Sequence, residues 1–264
     1  MSMSEPTLRY AVADGIARIT LCRPKLLNRM DMEAHDEFEE ALYKVHLDPA
    51  VRVVLIEGEG KHFSAGGDMA EVERLQNDAA RRRRMFHKTR QLVSALVNIE
   101  VPVIVAVQGE AVGLGASIAA LADIIVVAPD SGITDPHAAI GLTPGDGGCI
   151  GMPLAMGLTR AKRYLLTGER IPGDKAYAFG LATDLVETRE QIVPMAEKIA
   201  ARIAALPPIS VRGAKRALTT YTNVAMGQAF DVALASEEQA MMSSDAREAV
   251  AAFIEKRKPV FTGK

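Results

Sequence analysis

The apolar positions of this chain follow two different periods. Residues 51–57 and 103–107 are nearly continuous apolar runs, the second opened by Pro102. Runs of that kind suit strands buried on both faces of a layered sheet. Residues 15–21 alternate instead, with Ile19 and Leu21 on one side and Arg18 and Thr20 on the other. Pro24 stops that strand. Asp31 can cap the helix that follows, where Phe38, Leu42 and Val45 recur at spacings of four and three. Pro49 ends it. A long helical region over about residues 70–98 places Met85, Leu92, Val93, Leu96 and Val97 on one face. Residues 116–122 predict a further helix and 123–128 a fourth strand. Strand, helix, strand, helix in this order predicts an α/β fold.

The later part reads differently. Helical patterns over 150–157 and 160–167 precede a short helix at 176–181 and a short strand at 185–187. Beyond Glu190 only helices are predicted, near 192–205, 211–219, 227–242 and 245–256. In the last, Ala249, Val250, Phe253 and Ile254 make an apolar face. The expected division is a core over residues 1–205 and a C-terminal helical subdomain over 206–264, serving oligomerisation or covering a ligand.

Composition narrows the class. The 264 residues can bury a sizeable core. Aromatics are 5% and Trp is absent, so that core is built from aliphatics and Met. A net charge of −2 gives no reason to expect nucleic acid. The basic run Arg81 to Arg84 falls in a helical pattern and reads as a solvated face, with a surface for a ligand phosphate as the alternative. Cys22 and Cys149 have neither metal nor disulfide spacing, and no metal is expected. A reducing cytoplasm fits. Residues 1–10 lack the apolar core of a signal peptide, and no apolar run is long enough for a bilayer.

Two glycine loops follow predicted strands. His62-Phe-Ser-Ala-Gly-Gly-Asp-Met69 carries Gly66 and Gly67, and residues 109–115 end in Gly113-Leu114-Gly115 at the start of a helix. An oxyanion hole needs two backbone N–H groups aimed at one oxygen, and each is worth about 3 kcal/mol in a transition state. The loops can be its two halves, or simply tight turns. A dinucleotide fingerprint fails, because its third glycine would fall at Ile118. No phosphate loop and no Gly-x-Ser-x-Gly nucleophile elbow are present. Residues 136–148 are rich in Gly and Pro and hold His137 and Asp146. A carboxylate can orient an imidazole and raise its basicity, which makes a general base. His62 reads as structural, and His35, His46 and His87 as surface residues.

Taken in order, several segments resemble the crotonase (enoyl-CoA hydratase/isomerase) superfamily over nearly the full chain. They are Arg23-Pro-Lys-Leu-Leu-Asn28, Phe63-Ser-Ala-Gly-Gly-Asp68, Gly109-Glu-Ala-Val-Gly-Leu-Gly115, Ala122-Asp-Ile-Ile125, Gly141-Leu-Thr-Pro-Gly-Asp-Gly-Gly148, Leu166-Thr-Gly168, Ala176-Tyr-Ala-Phe-Gly-Leu-Ala182 and Ala252-Phe-Ile-Glu-Lys-Arg257. The resemblance implies a ββα superhelix with a C-terminal helical region, assembled as a homotrimer or homohexamer. It implies an acyl-CoA thioester as substrate, with no further cofactor and no membrane partner, and a place in fatty acid metabolism. An enolate would be held by the N–H groups of Gly67 and Leu114. Leu26, Ala65, Gly67, Asp68 and Met69 would line the coenzyme A path, and Lys256 would approach its phosphates. Ala70 stands where relatives often carry a Lys.

The two catalytic glutamates of hydratases fall at Ser117 and His137, so neither carboxylate is retained. Some relatives place an acid in the turn after Gly-x-x-Pro, and Asp146 lies there. The Pro136-His137 to Asp146 segment is also similar to crotonase-fold hydrolases that cleave β-diketones by a retro-Claisen route, although a further His of that group falls at Gly115. The expectation is an enoyl-CoA hydratase/isomerase in which Gly67 and Leu114 hold the enolate and His137, Asp146 and Ser117 replace the usual acids. A β-diketone hydrolase and a catalytically poor acyl-CoA binder are the alternatives.

Overall fold

The computed structural model describes residues 6–264, so the first half of the N-terminal stretch considered above lies outside the described residues. An antiparallel hairpin opens the chain, β1 (Leu8–Ala13) against β2 (Ile16–Leu21). The chain then runs through α1 (Met32–Leu47), β3 (Val53–Gly58), α2 (Met69–Asn77), α3 (Ala79–Val97) and β4 (Val103–Ala106). β5 (Glu110–Val112), α4 (Leu114–Leu121), β6 (Ile124–Val127) and β7 (Gly132–Thr134) follow. After α5 (Gly148–Met156) and α6 (Leu158–Leu165) come β8 (Ile171–Pro172), α7 (Gly173–Phe179) and β9 (Asp184–Leu185). α8 (Ile192–Ala204), α9 (Pro208–Met241) and α10 (Ser244–Ile254) complete it.

The six-stranded sheet has the order β1-β2-β3-β4-β6-β9, parallel beyond the hairpin. β5, β7 and β8 form a second, small sheet. The apolar runs are buried on both faces, as their continuity predicts. Val54, Ile56, Val103 and Val105 face the main core, whereas Val53, Leu55, Ile104 and Ala106 face α8 through Ile192, Ala196 and Ala200. Phe230, Leu234 and Met241 of α9 and Ala246 of α10 join the main core, so the C-terminal helices pack into it. Lys215 of α9 is buried and holds both carboxylate oxygens of Asp123, at 2.7 and 2.8 Å.

Three expectations change. The region 70–98 is two helices, because Asp78 is extended; its N–H closes α2 on the Arg74 carbonyl while its carboxylate accepts from Arg81 N and caps α3. The two helices expected over 211–219 and 227–242 are one helix of 34 residues. The polar stretch between them stays helical because Asn223 bonds Asn98 and Met226 packs on the core. His35 is buried, not on the surface, whereas His46 and His87 are exposed. No helix among the described residues is long and apolar enough to cross a membrane.

Candidate active site

The glycine loops meet. Ser64 and Ala111 form a parallel bridge, with Ser64 N donating to Glu110 O at 3.1 Å and Val112 N to Ser64 O at 2.9 Å. His62 has the structural role expected of it: its Nδ1 accepts from Glu110 N. Gly66 has φ +76°, and a Cβ there would sit 2.4 Å from Val112 O. Only a glycine lets the first loop lie this close to the second. The next residue, Gly67, faces open space, and Gly113 turns the second loop into α4 at Leu114. Neither the Gly67 nor the Leu114 N–H donates to any group among the described residues. Both residues line one cavity of about 650 Å³.

That cavity collects most of the expected site. Leu26, Ala65, Gly67, Asp68, Met69 and Leu114 line it, as do His137 and Asp146. Asp68 also caps α2 through Ala70 N and pairs with Arg29. Lys256 does not line the cavity; it follows α10 in a left-handed conformation, beyond Phe253 and Ile254 at the cavity wall. Ser117 is fully buried behind the wall and donates to Asp146 Oδ1 at 2.6 Å. It positions that carboxylate and has no access to a ligand. Arg81 pairs with Glu71, and Arg82 bonds the Leu75 carbonyl, while Arg83 and Arg84 remain exposed.

The carboxylate that orients His137 is Asp135, which the sequence pattern did not single out. His137 Nδ1 lies 2.6 Å from Asp135 Oδ1, and His137 N donates to the same oxygen at 3.2 Å. Nε2 faces the cavity, 3.7 Å from Asp146 Oδ2 and 3.8 Å from Glu237 Oε1. Asp146 is therefore an electrostatic neighbour of the ring, beyond direct hydrogen bonding, and takes its hydrogen bond from Ser117. Glu237 is the second unanticipated residue. It comes from α9, lines the cavity and is buried, with Oε2 unpartnered. Its sequence signal is a carboxylate on a buried stripe: Phe230, Ala233, Leu234, Glu237 and Met241 share one face of α9.

Three acids surround one imidazole. Burial opposes charge on His137, yet Asp146, Asp135 and Glu237 together raise its pKa well above the ordinary value. Burial raises Asp146, against the lowering pull of His137 and the Ser117 hydrogen bond. Burial also pushes Glu237 up to about 8, with Asp146 and Asp135 adding to it and His137 opposing. At neutral pH these shifts favour an imidazolium at His137 and a protonated Glu237. Asp135, His137 and Asp146 also offer ligand atoms within 4.8 Å of one another, a spacing a metal ion could use. The 2.6 Å contact between His137 and Asp135 is a hydrogen bond, so a proton already joins those two.

Glu237 binds its proton more tightly in the folded chain than its ordinary 4.5. Its contribution to stability is full at low pH and is lost as the pH rises from 4.5 through about 8. The raised pKa of His137 acts in the same direction at higher pH. Glu237→Gln is expected to flatten the fall in urea midpoint between about pH 5 and pH 8. A variant with the wild-type slope would show that Glu237 does not hold the proton.

A spiral of sheet and helix layers closed by a helical arm, with two glycine loops at one cavity, defines the crotonase class of enzyme fold. The profile of the family described as enoyl-CoA hydratase/isomerase matches residues 11–264. Crotonyl-CoA hydratase of Syntrophomonas wolfei is 34% identical over 95% of this chain and 96% of its own. The 1,2-epoxyphenylacetyl-CoA isomerase of Escherichia coli is 30% identical over 96% and 97%. A solved enoyl-CoA hydratase/isomerase of Mycobacterium paratuberculosis gives a TM-score of 0.89 at 34% identity, covering 94% of this chain and 98% of that one. The chain belongs to the enoyl-CoA hydratase/isomerase family.

The β-diketone hydrolase alternative gains nothing here. A Cβ at Gly115 would lie 2.8 Å from Ser64 Cβ, so the fold leaves no room for the further His of that group.

Proposed function

We propose that this enzyme shifts the double bond of an enoyl-CoA thioester, with Asp146 as the base that carries the proton. The observation that carries the reading is the meeting in one cavity of two uncommitted N–H groups and the Asp146 carboxylate, which Ser117 holds beside His137. Gly67 and Leu114 N–H groups would hold the thioester oxygen as negative charge develops on it. Asp146 would take a proton from the carbon next to the thioester carbonyl, giving a dienolate, and return it two carbons further on. Atoms and charge balance, and no water is consumed. The His137 imidazolium, fixed by Asp135, steadies the carboxylate, and the protonated Glu237 adds no competing negative charge. Hydration needs a second acid or base to place water, and Ser117, which stands at one such position, is shut behind the wall.

Leu26, Ala65, Asp68 and Met69 would line the coenzyme A path, with Lys256 reaching its phosphates from outside the cavity. The arm over 206–264 would serve as the lid. Exposed Ile209, Leu218, Tyr221 and Val224 on α9 support self-association as a homotrimer or homohexamer. Free Cys22 and Cys149 go with a cytoplasmic setting.

The test supplies trans-3-hexenoyl-CoA and trans-2-hexenoyl-CoA separately in deuterated water, with products read by mass spectrometry. Conversion of the first to the second, with the original hydrogen largely retained rather than exchanged for deuterium and with loss in Asp146→Asn, is the expected result. Hydration of the second substrate faster than isomerisation of the first would overturn the isomerase assignment and leave the thioester reading standing.

A further inference from the structure

The last helix touches both halves of the site, and an exposed segment of chain grips its first turn. α10 begins at Ser244, and its Ala246 is buried against Gly141. A Cβ at Gly141 would lie 3.0 Å from both Cα and N of Ala246, so no side chain separates the two backbones. Gly141 closes the helical turn His137–Ile140, and Leu142 N donates to His137 O at 2.8 Å. One residue beyond Ala246, Arg247 donates to Gln76 O at 3.3 Å and to Asn77 Oδ1 at 3.2 Å, at the end of α2. The first turn of α10 thus lies between the turn that carries His137 and the helix that leaves the Gly67 loop.

Beyond α10 the chain doubles back along it. Arg257 pairs with Glu248, and Val260 N donates to Glu248 Oε1 at 2.9 Å. Thr262 N and Gly263 N donate to the two carboxylate oxygens of Asp245, at 2.6 and 2.8 Å. Ser244 N donates to Lys264 O at 2.7 Å. Residues 253–264 are all exposed. Ordering such a segment costs conformational entropy that no buried side chain offsets, so its hydrogen bonds to α10 are what hold it. A helix of 11 residues is marginal without tertiary support, and this one gains support from the returning chain at its first turn. We propose that Asp245 is a positioning residue: by gripping Thr262 and Gly263 it fixes the first turn of α10 against Gly141, and through that turn the placement of His137 beside Asp146. The inference rests on the proton-transfer reading of the site and adds the device that holds its spacing.

Asp245→Ala and Asp245→Asn test it in the full chain. Both remove the same charge, but Asn keeps one acceptor for the returning segment. In the alanine variant kcat for isomerisation is expected to fall about tenfold, because a small misplacement of a reacting group suffices for a loss of that size. The asparagine variant should lose less. Affinity for hexanoyl-CoA, read by calorimetry, should fall less than kcat, since no proton moves in that complex. The imidazole resonances of His137 should move in the ligand-free alanine variant, and by a smaller amount in the asparagine variant. Unmoved His137 resonances, or equal effects of the two substitutions, would overturn the inference. A lower melting temperature with kcat unchanged would also overturn it, since Asp245 would then be an anchor of the fold and nothing more. If the wild type does not isomerise an enoyl-CoA, the proposed function falls, and the His137 resonances decide this inference by themselves.

Discussion

Asp146→Asn is expected to lower kcat for enoyl-CoA isomerisation by about 10²–10⁴-fold, the span that a positioned acid–base group contributes. The variant keeps the shape of the side chain and can still bond Ser117, so ligand affinity should change little. His137→Ala should cost activity on the same scale for a different reason. It removes the one positive charge facing Asp135, Asp146 and Glu237, all buried. The charge that lowers Asp146 is then gone, so its already raised pKa rises further. The alanine variant should also be less stable, because Asp135 loses its 2.6 Å partner. The asparagine variant is therefore the cleaner test, with circular dichroism melting as the control on folding. A kcat within threefold of wild type in Asp146→Asn would remove Asp146 from the chemistry.

Gly66→Ala is the second large effect. The added methyl would meet Val112 O at 2.4 Å, on a backbone whose φ of +76° already disfavours a side chain. The two loops must separate, and the Gly67 and Leu114 N–H groups can no longer converge on one oxygen. Loss of a single donor of this kind costs about 10²–10³ in kcat. Affinity for a saturated acyl-CoA should fall much less, since that ligand develops no charge on its oxygen. Equal losses in kcat and in saturated-ligand affinity would mean that the cavity had collapsed rather than that a donor had turned away.

The strands that position this site are legible in the sequence where burial is two-sided. Val53 to Ile56 and Val103 to Ala106 could be nothing else, because each residue meets a core on one face or the other. β1 escapes notice because it is an edge strand, largely exposed, with no apolar alternation to betray it. β5, β7 and β8 are too short to carry a period. The chemistry divides in the same way. Gly67, Leu114, His137 and Asp146 sit in local motifs and converge as expected on one cavity. The pairing of His137 with Asp146 misplaces the hydrogen bond, because loop spacing says that two side chains can meet and not which atoms do. Asp135 stands two residues from His137, just after the three-residue β7, where no pattern marks it. Glu237 reads as an ordinary helix carboxylate until its place on the apolar stripe of α9 is noticed.

The unbroken course of α9 ties two ends of the molecule together mechanically. Lys215, clasped by Asp123, and Glu237, beside His137, stand 22 residues apart on one rod, about 33 Å at 1.5 Å per residue. The stretch between them carries Leu218, Tyr221 and Val224 on the outside. One continuous rod therefore carries both an exposed apolar face and, near its C-terminal end, the carboxylate that enters the cavity.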